Sequence, residues 1–249
     1  TVAAIPPAVA NTPKQTPEWF GGMMTYAEYR EKLEFSLQQY TVIDEFCRTL
    51  KIPWFVSVWD VKSYQDMTVQ FPEMPAWKIP SAMLTKHELL IAMHDAIAPI
   101  IISTGMSTME EVSAARRTLM VHNRDIIIAH CNSTYPCPPE DLNLRCIDTL
   151  LRWFPDTTIG YSGHEVGLAT TVAAVAMGAR YVERHITLNR ASWGTDQAAS
   201  VEPSGFRRLV KDIRMVESAL GDGEKRITAG ELEPMERLRG SPRPGISHA

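Results

Sequence analysis

Six short apolar runs, none with the polar alternation of a half-exposed strand, recur along this 249-residue chain and constrain its fold more than any other feature. They are "WFVSV" (54 to 58), "AWKI" (76 to 79), "PIIIS" (99 to 103), "DIIIAH" (125 to 130), "TIGYS" (158 to 162) and "ARYVERH" (179 to 185). Helical spacing fills the gaps, at 84 to 95, 107 to 120, 141 to 153 and 165 to 178. Strands buried on both faces and separated by helices predict a parallel sheet covered by those helices. An open doubly wound sheet would carry a Gly-rich phosphate turn after its first strand, and none is present. A TIM-type (β/α)₈ barrel puts functional residues at the carboxyl ends of several strands, where polar residues gather in this chain. Six strands are two short of closure. The expected fold is therefore an α/β, TIM-type barrel, incomplete at six of eight strands and beginning after the second.

The domain plan that follows has three parts. Residues 1–22, rich in Pro and Gly, are expected to be an extended surface segment. Residues 23–240 form the partial barrel, and 241–249 a flexible tail. Thr25 and Glu28 read as a capping box opening one long amphipathic helix through Leu50. Thr85 with Glu88, and Ser107 with Glu110, read as further capping boxes. Pro203 and Gly221 bracket the last long helix.

Composition excludes some classes. A formal charge of −4 with scattered Lys and Arg gives no footprint for nucleic acid. No apolar run approaches the ~18 residues of a membrane span, and the start of the chain lacks the basic and apolar segments of a signal peptide. Cys47, Cys131, Cys137 and Cys146 show no C-x-x-C spacing, which fits neither a zinc knuckle nor a disulfide framework. A cytoplasmic protein is expected.

The strand ends carry the chemistry. Asp60 follows the first run, Lys78 and Ser81 flank the end of the second, and Ser103 ends the third. His130 and Asn132 follow the fourth, Ser162 and His164 the fifth, Glu183 and His185 the sixth. His164 and His185 end consecutive strands, and period-two alternation puts Tyr181, Glu183 and His185 on one face, taken as the lumen. Two imidazoles with nearby oxygens suit a borderline divalent ion such as Mn²⁺, Fe²⁺ or Zn²⁺. The same histidines also read as a helix cap and a hydrogen-bonded core residue. Lys78 in an apolar strand calls for an anion, and Ser81, Ser103, Ser162 and the "STGMST" turn outline a pocket for phosphate or carboxylate. Serines are equally common turn and cap residues. Asp196, in the loop "RASWGTDQAAS", reads as a sugar ligand or a turn former. The three cysteines near the fourth strand read as packing residues.

"KIPS", "STGMSTMEE", "HCNSTYPCPPEDLNLR", "GYSGHEVGLA", "VERHITL" and "GTDQAASVEP" stand in one order, and together they resemble the sialic acid synthase (N-acetylneuraminate synthase) family. The resemblance covers about residues 20 to 240. It implies a transferase that condenses phosphoenolpyruvate with a 2-acetamido sugar aldehyde, such as N-acetylmannosamine, into a nine-carbon ulosonic acid. It also implies Mn²⁺, with Mg²⁺ or Co²⁺ as alternatives, and a homodimer in the intact protein. By the same resemblance His164 and His185 are metal ligands, and Lys78, Ser81, Ser103 and Ser162 contact phosphoenolpyruvate. Tyr135 of "STYP" and Asp196 of "GTD" match residues on the acceptor sugar. Three departures stand out. The family's E-I-G-x-N-H-x-G and K-F-Q motifs are missing, and so is its C-terminal antifreeze-like domain after Gly240. "KIPSAM" puts Met83 where many members carry an acid, and Ser133 replaces an Asn. A non-catalytic metal- and anion-binding barrel, and a related 3-deoxy sugar-phosphate synthase, are the competing readings.

Overall fold

The structure is a computed structural model describing residues 5–120 and 125–240. The expected tail, 241–249, lies outside the described residues. All six expected strands form, as β3 (Val56–Ser57), β4 (Trp77–Ile79), β5 (Ile100–Ser103), β6 (Ile126–Cys131), β7 (Thr158–Gly163) and β8 (Tyr181–Arg184). They lie side by side in chain order, every pair parallel.

The register fixes which side chains share a face. Lys78 pairs with Ile101, Cys131 with Ser162, and Ser162 with Glu183. Alternation then puts Lys78, Ser103, Cys131, Ser162, Tyr181 and Glu183 on one side. Trp77, Ile79, Ile100, Ile102, Ile126, Ile128, Ile159 and Tyr161 take the other and pack in one buried cluster with helix residues such as Leu89, Val112, Ile147 and Ala174. The main apolar core therefore lies between sheet and helices, and the inner face carries the polar groups.

A single contact shows that the sheet is curled. In a flat sheet, four inter-strand steps would separate β4 from β8 by about 19 Å. Instead Lys78 Nζ on β4 lies 2.7 Å from both carboxylate oxygens of Glu183 on β8. The six strands form a half-barrel with these residues inside.

The covering helices are α4 (Val61–Gln70), α5 (His87–Met93), α6 (Met109–Leu119), α7 (Cys146–Trp153), α8 (Ala169–Ala176) and α9 (Pro203–Leu220). Pro203 and Gly221 bracket α9 as expected. Two of the expected caps shift. Helix α5 begins at His87 behind Lys86 with no side-chain cap, so Thr85 and Glu88 form no box. Helix α6 is capped one residue later, by Thr108 with Glu111.

The expected long helix from Thr25 is two helices, α2 (Tyr26–Leu33) and α3 (Leu37–Leu50). The Thr25–Glu28 box opens α2. A second box, Ser36 with Gln39, opens α3 after Glu34 turns to extended backbone. Apolar spacing ran through the break and hid it.

Before these helices the chain is not simply extended. A one-turn helix, α1 (Pro7–Ala10), leads into an antiparallel hairpin of β1 (Pro13–Gln15) and β2 (Met23–Thr25). Phe20, between those strands, and Tyr29 on α2 put their rings 5.1 and 6.0 Å from Trp193, in the loop after β8. The hairpin thus docks on the loop that carries Asp196.

A last helix, α10 (Leu232–Arg239), follows α9. Among the described residues no helix is long and apolar enough to cross a membrane, and all four cysteines are free.

Candidate active site

Each side of the site grows from one strand end. Lys78, only 6 % exposed, donates from Nζ to Glu183. Ser162 Oγ donates to Glu183 Oε1 at 2.9 Å and Tyr181 OH to Oε2 at 2.7 Å. Burial pushes the Glu183 carboxyl up, but Lys78 and these hydroxyls more than offset it and hold it below the usual carboxylate range. Glu183 is thus a charged hub at the centre of the inner face. Reading the sequence placed it on the lumen side without assigning it a role.

Beside this hub lie the serines of the neighbouring strand ends. Ser81 Oγ accepts from Gly105 N–H at 3.0 Å and lies 3.5 Å from Cys131 Sγ. Ser103 is 2 % exposed, and its Oγ has no hydrogen-bond partner among the described residues. A buried hydroxyl without a partner is costly unless a ligand or water completes it. Cys131 is no bystander, since its Sγ also lies 3.7 Å from His164 Nδ1. It joins the Lys78 side of the site to the histidine side.

The two imidazoles meet as expected. The His164 and His185 ring centroids are 5.1 Å apart, with the planes at 76°. Tyr135 packs against both, at 4.0 Å from His164 and 5.6 Å from His185. His164 Nδ1 is 2.6 Å from the carbonyl oxygen of Asn132. A carbonyl only accepts, so Nδ1 carries the proton, and in the neutral ring the lone pair sits on Nε2. Burial first, then the neighbouring His185, lowers the His164 pKa and favours that neutral ring. His185 Nδ1 lies 3.4 Å from Asp196 Oδ2. Asp196 is therefore brought to the histidines.

Three other rim residues are not assembled here. Asp60 caps α4, accepting from Ser63 N–H at 2.7 Å. His130 alternates to the helix side, where its Nε2–H donates to Leu142 O at 2.8 Å and burial lowers its pKa. The Asn132 side chain is spent on its own loop, donating to Asp141 O and accepting from Thr134 N–H.

What the sequence did not disclose is the support under His164. Glu165 and Arg184 form an ion pair at 3.1 Å with side chains 2 % and 1 % exposed. Glu165 also accepts from Tyr161 OH, Thr170 and Thr171. Burial raises its carboxyl, but Thr171, Arg184 and Tyr161 outweigh that and keep it low. Gly163 is required by the crowding: a Cβ there would sit 2.6 Å from Glu165 Oε2 and 2.7 Å from Tyr161 Cε1. The available signal was two charges, Glu165 and Arg184, each directly beside a rim histidine in the sequence.

Fold and site together define a (β/α) half-barrel protein with a buried lysine, serine hydroxyls and paired imidazoles at its strand ends. The chain belongs to the NeuB family, whose pattern matches residues 7–225. It is 37 % identical over 217 residues to N-acetylneuraminate-9-phosphate synthase of Mus musculus, covering 86 % of this chain and 59 % of that protein. It is 32 % identical over 213 residues to N,N'-diacetyllegionaminic acid synthase of Legionella pneumophila, covering 84 % of this chain and again 59 % of the relative. The chain thus spans about three fifths of those relatives. Among solved structures, N-acetylneuraminic acid (sialic acid) synthetase of Leptospira borgpetersenii, in complex with citrate, superposes with a TM-score of 0.78 at 28 % identity. That match covers 86 % of this chain and 74 % of the other. The half-barrel therefore shares the fold of the matched part of that structure.

Proposed function

We propose that this chain carries the catalytic face of a sialic acid synthase-type transferase, which joins phosphoenolpyruvate to a 2-acetamido sugar aldehyde. The observation that carries the reading is the convergence on one inner face of a buried cation, Lys78, with an unpartnered hydroxyl at Ser103 and two facing imidazoles. Membership of the NeuB family and the names of the relatives support it.

The chemistry asked of the site is a carbon–carbon bond from C3 of phosphoenolpyruvate to the aldehyde carbon, addition of water at C2, and departure of inorganic phosphate. Lys78 and the Ser81 and Ser103 hydroxyls hold the phosphate and carboxylate, and Ser162 joins them when its hydroxyl turns from Glu183 to the anion. Glu183 holds the Lys78 ammonium in place at 2.7 Å. Tyr135, against both imidazoles, and Asp196, beside His185, face the acceptor. Holding both reactants in attack geometry is the main contribution of such a cradle.

The residues fit a divalent ion in two positions. His164 offers Nε2 because its Nδ1–H is committed to Asn132 O. His185 lies beside it. Among the described residues no group of three or more His, Cys, Asp or Glu is arranged around a metal, so substrate oxygens and water would fill the remaining positions. When bound, Mn²⁺, with Mg²⁺ or Co²⁺ as alternatives, supplies a Lewis acid for the aldehyde oxygen.

The test is incubation of the chain with Mn²⁺, phosphoenolpyruvate and a panel of acetamido sugars. N-acetylmannosamine and its 6-phosphate belong in the panel, because a 9-phosphate product, as in the mouse relative's name, implies a phosphorylated acceptor. Stoichiometric free phosphate and a nine-carbon ulosonic acid are expected, and both disappear when the metal is chelated. Binding of Mn²⁺ and phosphoenolpyruvate without turnover supports the second reading, a non-catalytic barrel. Met83, 6 % exposed beside Ser81 where many members carry an acid, is the feature that favours it.

A further inference from the structure

Arg184 sits between Glu183 and His185 in the chain, yet alternation sends its side chain to the opposite face of β8. There it is sealed from solvent at 1 % exposure and reaches no part of the inner face. Its contacts are mostly backbone carbonyls of two different loops. Nη1 donates to Gly167 O at 2.9 Å, Thr171 Oγ1 at 2.7 Å and Glu165 Oε1 at 3.1 Å. Nη2 donates to Glu165 O at 2.7 Å and Ala199 O at 3.3 Å. Glu165 and Gly167 belong to the turn that presents His164. Ala199 ends the short turn Gln197–Ala199, which Asp196 opens.

We infer that Arg184 is a positioning residue for the site: one guanidinium holds the His164 turn and the Asp196 turn in fixed register with the strand that carries His185. The inference rests on the reading of His164, His185 and Asp196 as site residues. Stability alone does not account for the arrangement, because replacing a fully buried ion pair with apolar side chains is often neutral or stabilising. Geometry does. A guanidinium presents five donors in a rigid plane, so one side chain can reach carbonyls of two loops, whereas an ammonium cannot match the fork. Other ties on these loops run elsewhere, from His164 Nδ1 to Asn132 O and from Asp196 Oδ2 to His185 Nδ1, and do not join the two turns. Cys137 N–H donates to His164 O at 2.9 Å and Val201 N–H to His185 O at 2.7 Å. Neither joins one loop to the other.

The experiment compares wild-type chain with Arg184→Lys and with the double variant Glu165→Leu/Arg184→Met, which removes both buried charges together. Amide hydrogen exchange is followed at 164–168 and 196–200 and, as a control, in β5 to β7. Mn²⁺ binding is measured by calorimetry, and kcat and KM by phosphate release. In both variants exchange should accelerate about tenfold or more in the two loop stretches together, with the sheet unchanged. Mn²⁺ affinity should fall about tenfold, as for other lost supports of metal-ligating histidines. The rate constant kcat should fall with it, while KM for phosphoenolpyruvate, held on the Lys78 side, stays within about twofold.

Should either folded variant keep both loops as protected as wild type, or keep wild-type Mn²⁺ affinity and kcat, the positioning role is overturned. The double variant decides if Arg184→Lys does not fold. Wild type that neither binds Mn²⁺ nor releases phosphate would sink the proposed function instead, and loop exchange then decides the role of Arg184 by itself.

Discussion

Lys78 was legible as a chemical residue because an ammonium in an apolar strand demands an anion. What the sequence could not show is that the chain supplies one itself. Glu183 lies 105 positions away, and only the curl of the sheet brings it to Lys78. Removing one partner of such a pair strands the other. Lys78→Met is expected to destabilise the chain by about 3 kcal/mol, at the lower end of the range for buried pairs. The Glu183 side chain keeps 27 % exposure, which softens the loss. Lys78→Met/Glu183→Leu should recover most of that stability in urea denaturation, while the phosphoenolpyruvate binding proposed for the wild type stays lost. Failure to recover would mean that the pair contributes more than mutual compensation. His164 and His185 were legible from alternation and from their places at consecutive strand ends. Cys131 was not, since a thiol in an apolar strand looks the same whether it packs or links two halves of a site.

At the scale of elements, strands were easier to read than helix boundaries. "PIIIS" and "DIIIAH" are too short and too β-branched to be helices, and β5 and β6 lie within one residue of them. The run from Thr25 to Leu50 reads as one helix because its apolar spacing continues across Glu34–Ser36, while the internal stop signal, Ser36 with Gln39, is short and polar. The structure makes that signal measurable. Ser36 Oγ accepts from Gln39 N–H, and Gln39 Oε1 accepts from Ser36 N–H at 2.8 Å. Ser36→Ala should cost about 1 kcal/mol. Exchange should quicken in the first turn of α3 and not in α2, because Thr25 and Glu28 cap α2 independently. Equal loosening of both helices would show them to be one cooperative unit.

For the molecule as a whole, the half-barrel leaves apolar surface near both ends of its arc. Next to β8, Ile186, Leu188, Phe206 and Val210 line an open groove and are 71, 90, 46 and 42 % exposed. On α3, ahead of β3, Val42 and Phe46 are 65 and 62 % exposed. Surfaces of this kind drive association. Sedimentation of the chain should therefore show concentration-dependent self-association, reduced by Phe206→Glu with Leu188→Lys. Monomers at all concentrations would contradict that. The six-strand architecture was legible because each strand announces itself locally; its curvature was not, because curvature is a relation between distant strands. The clasp from β4 to β8 has one more effect. In the proposed role, the ammonium that meets an anionic guest already has a resident counter-ion, so chloride, with one charge and nothing to offer the carboxylate, would gain little by entering. A guest would succeed by engaging the surrounding hydroxyls as well, and such a site would filter its visitors by how many places they can grip at once.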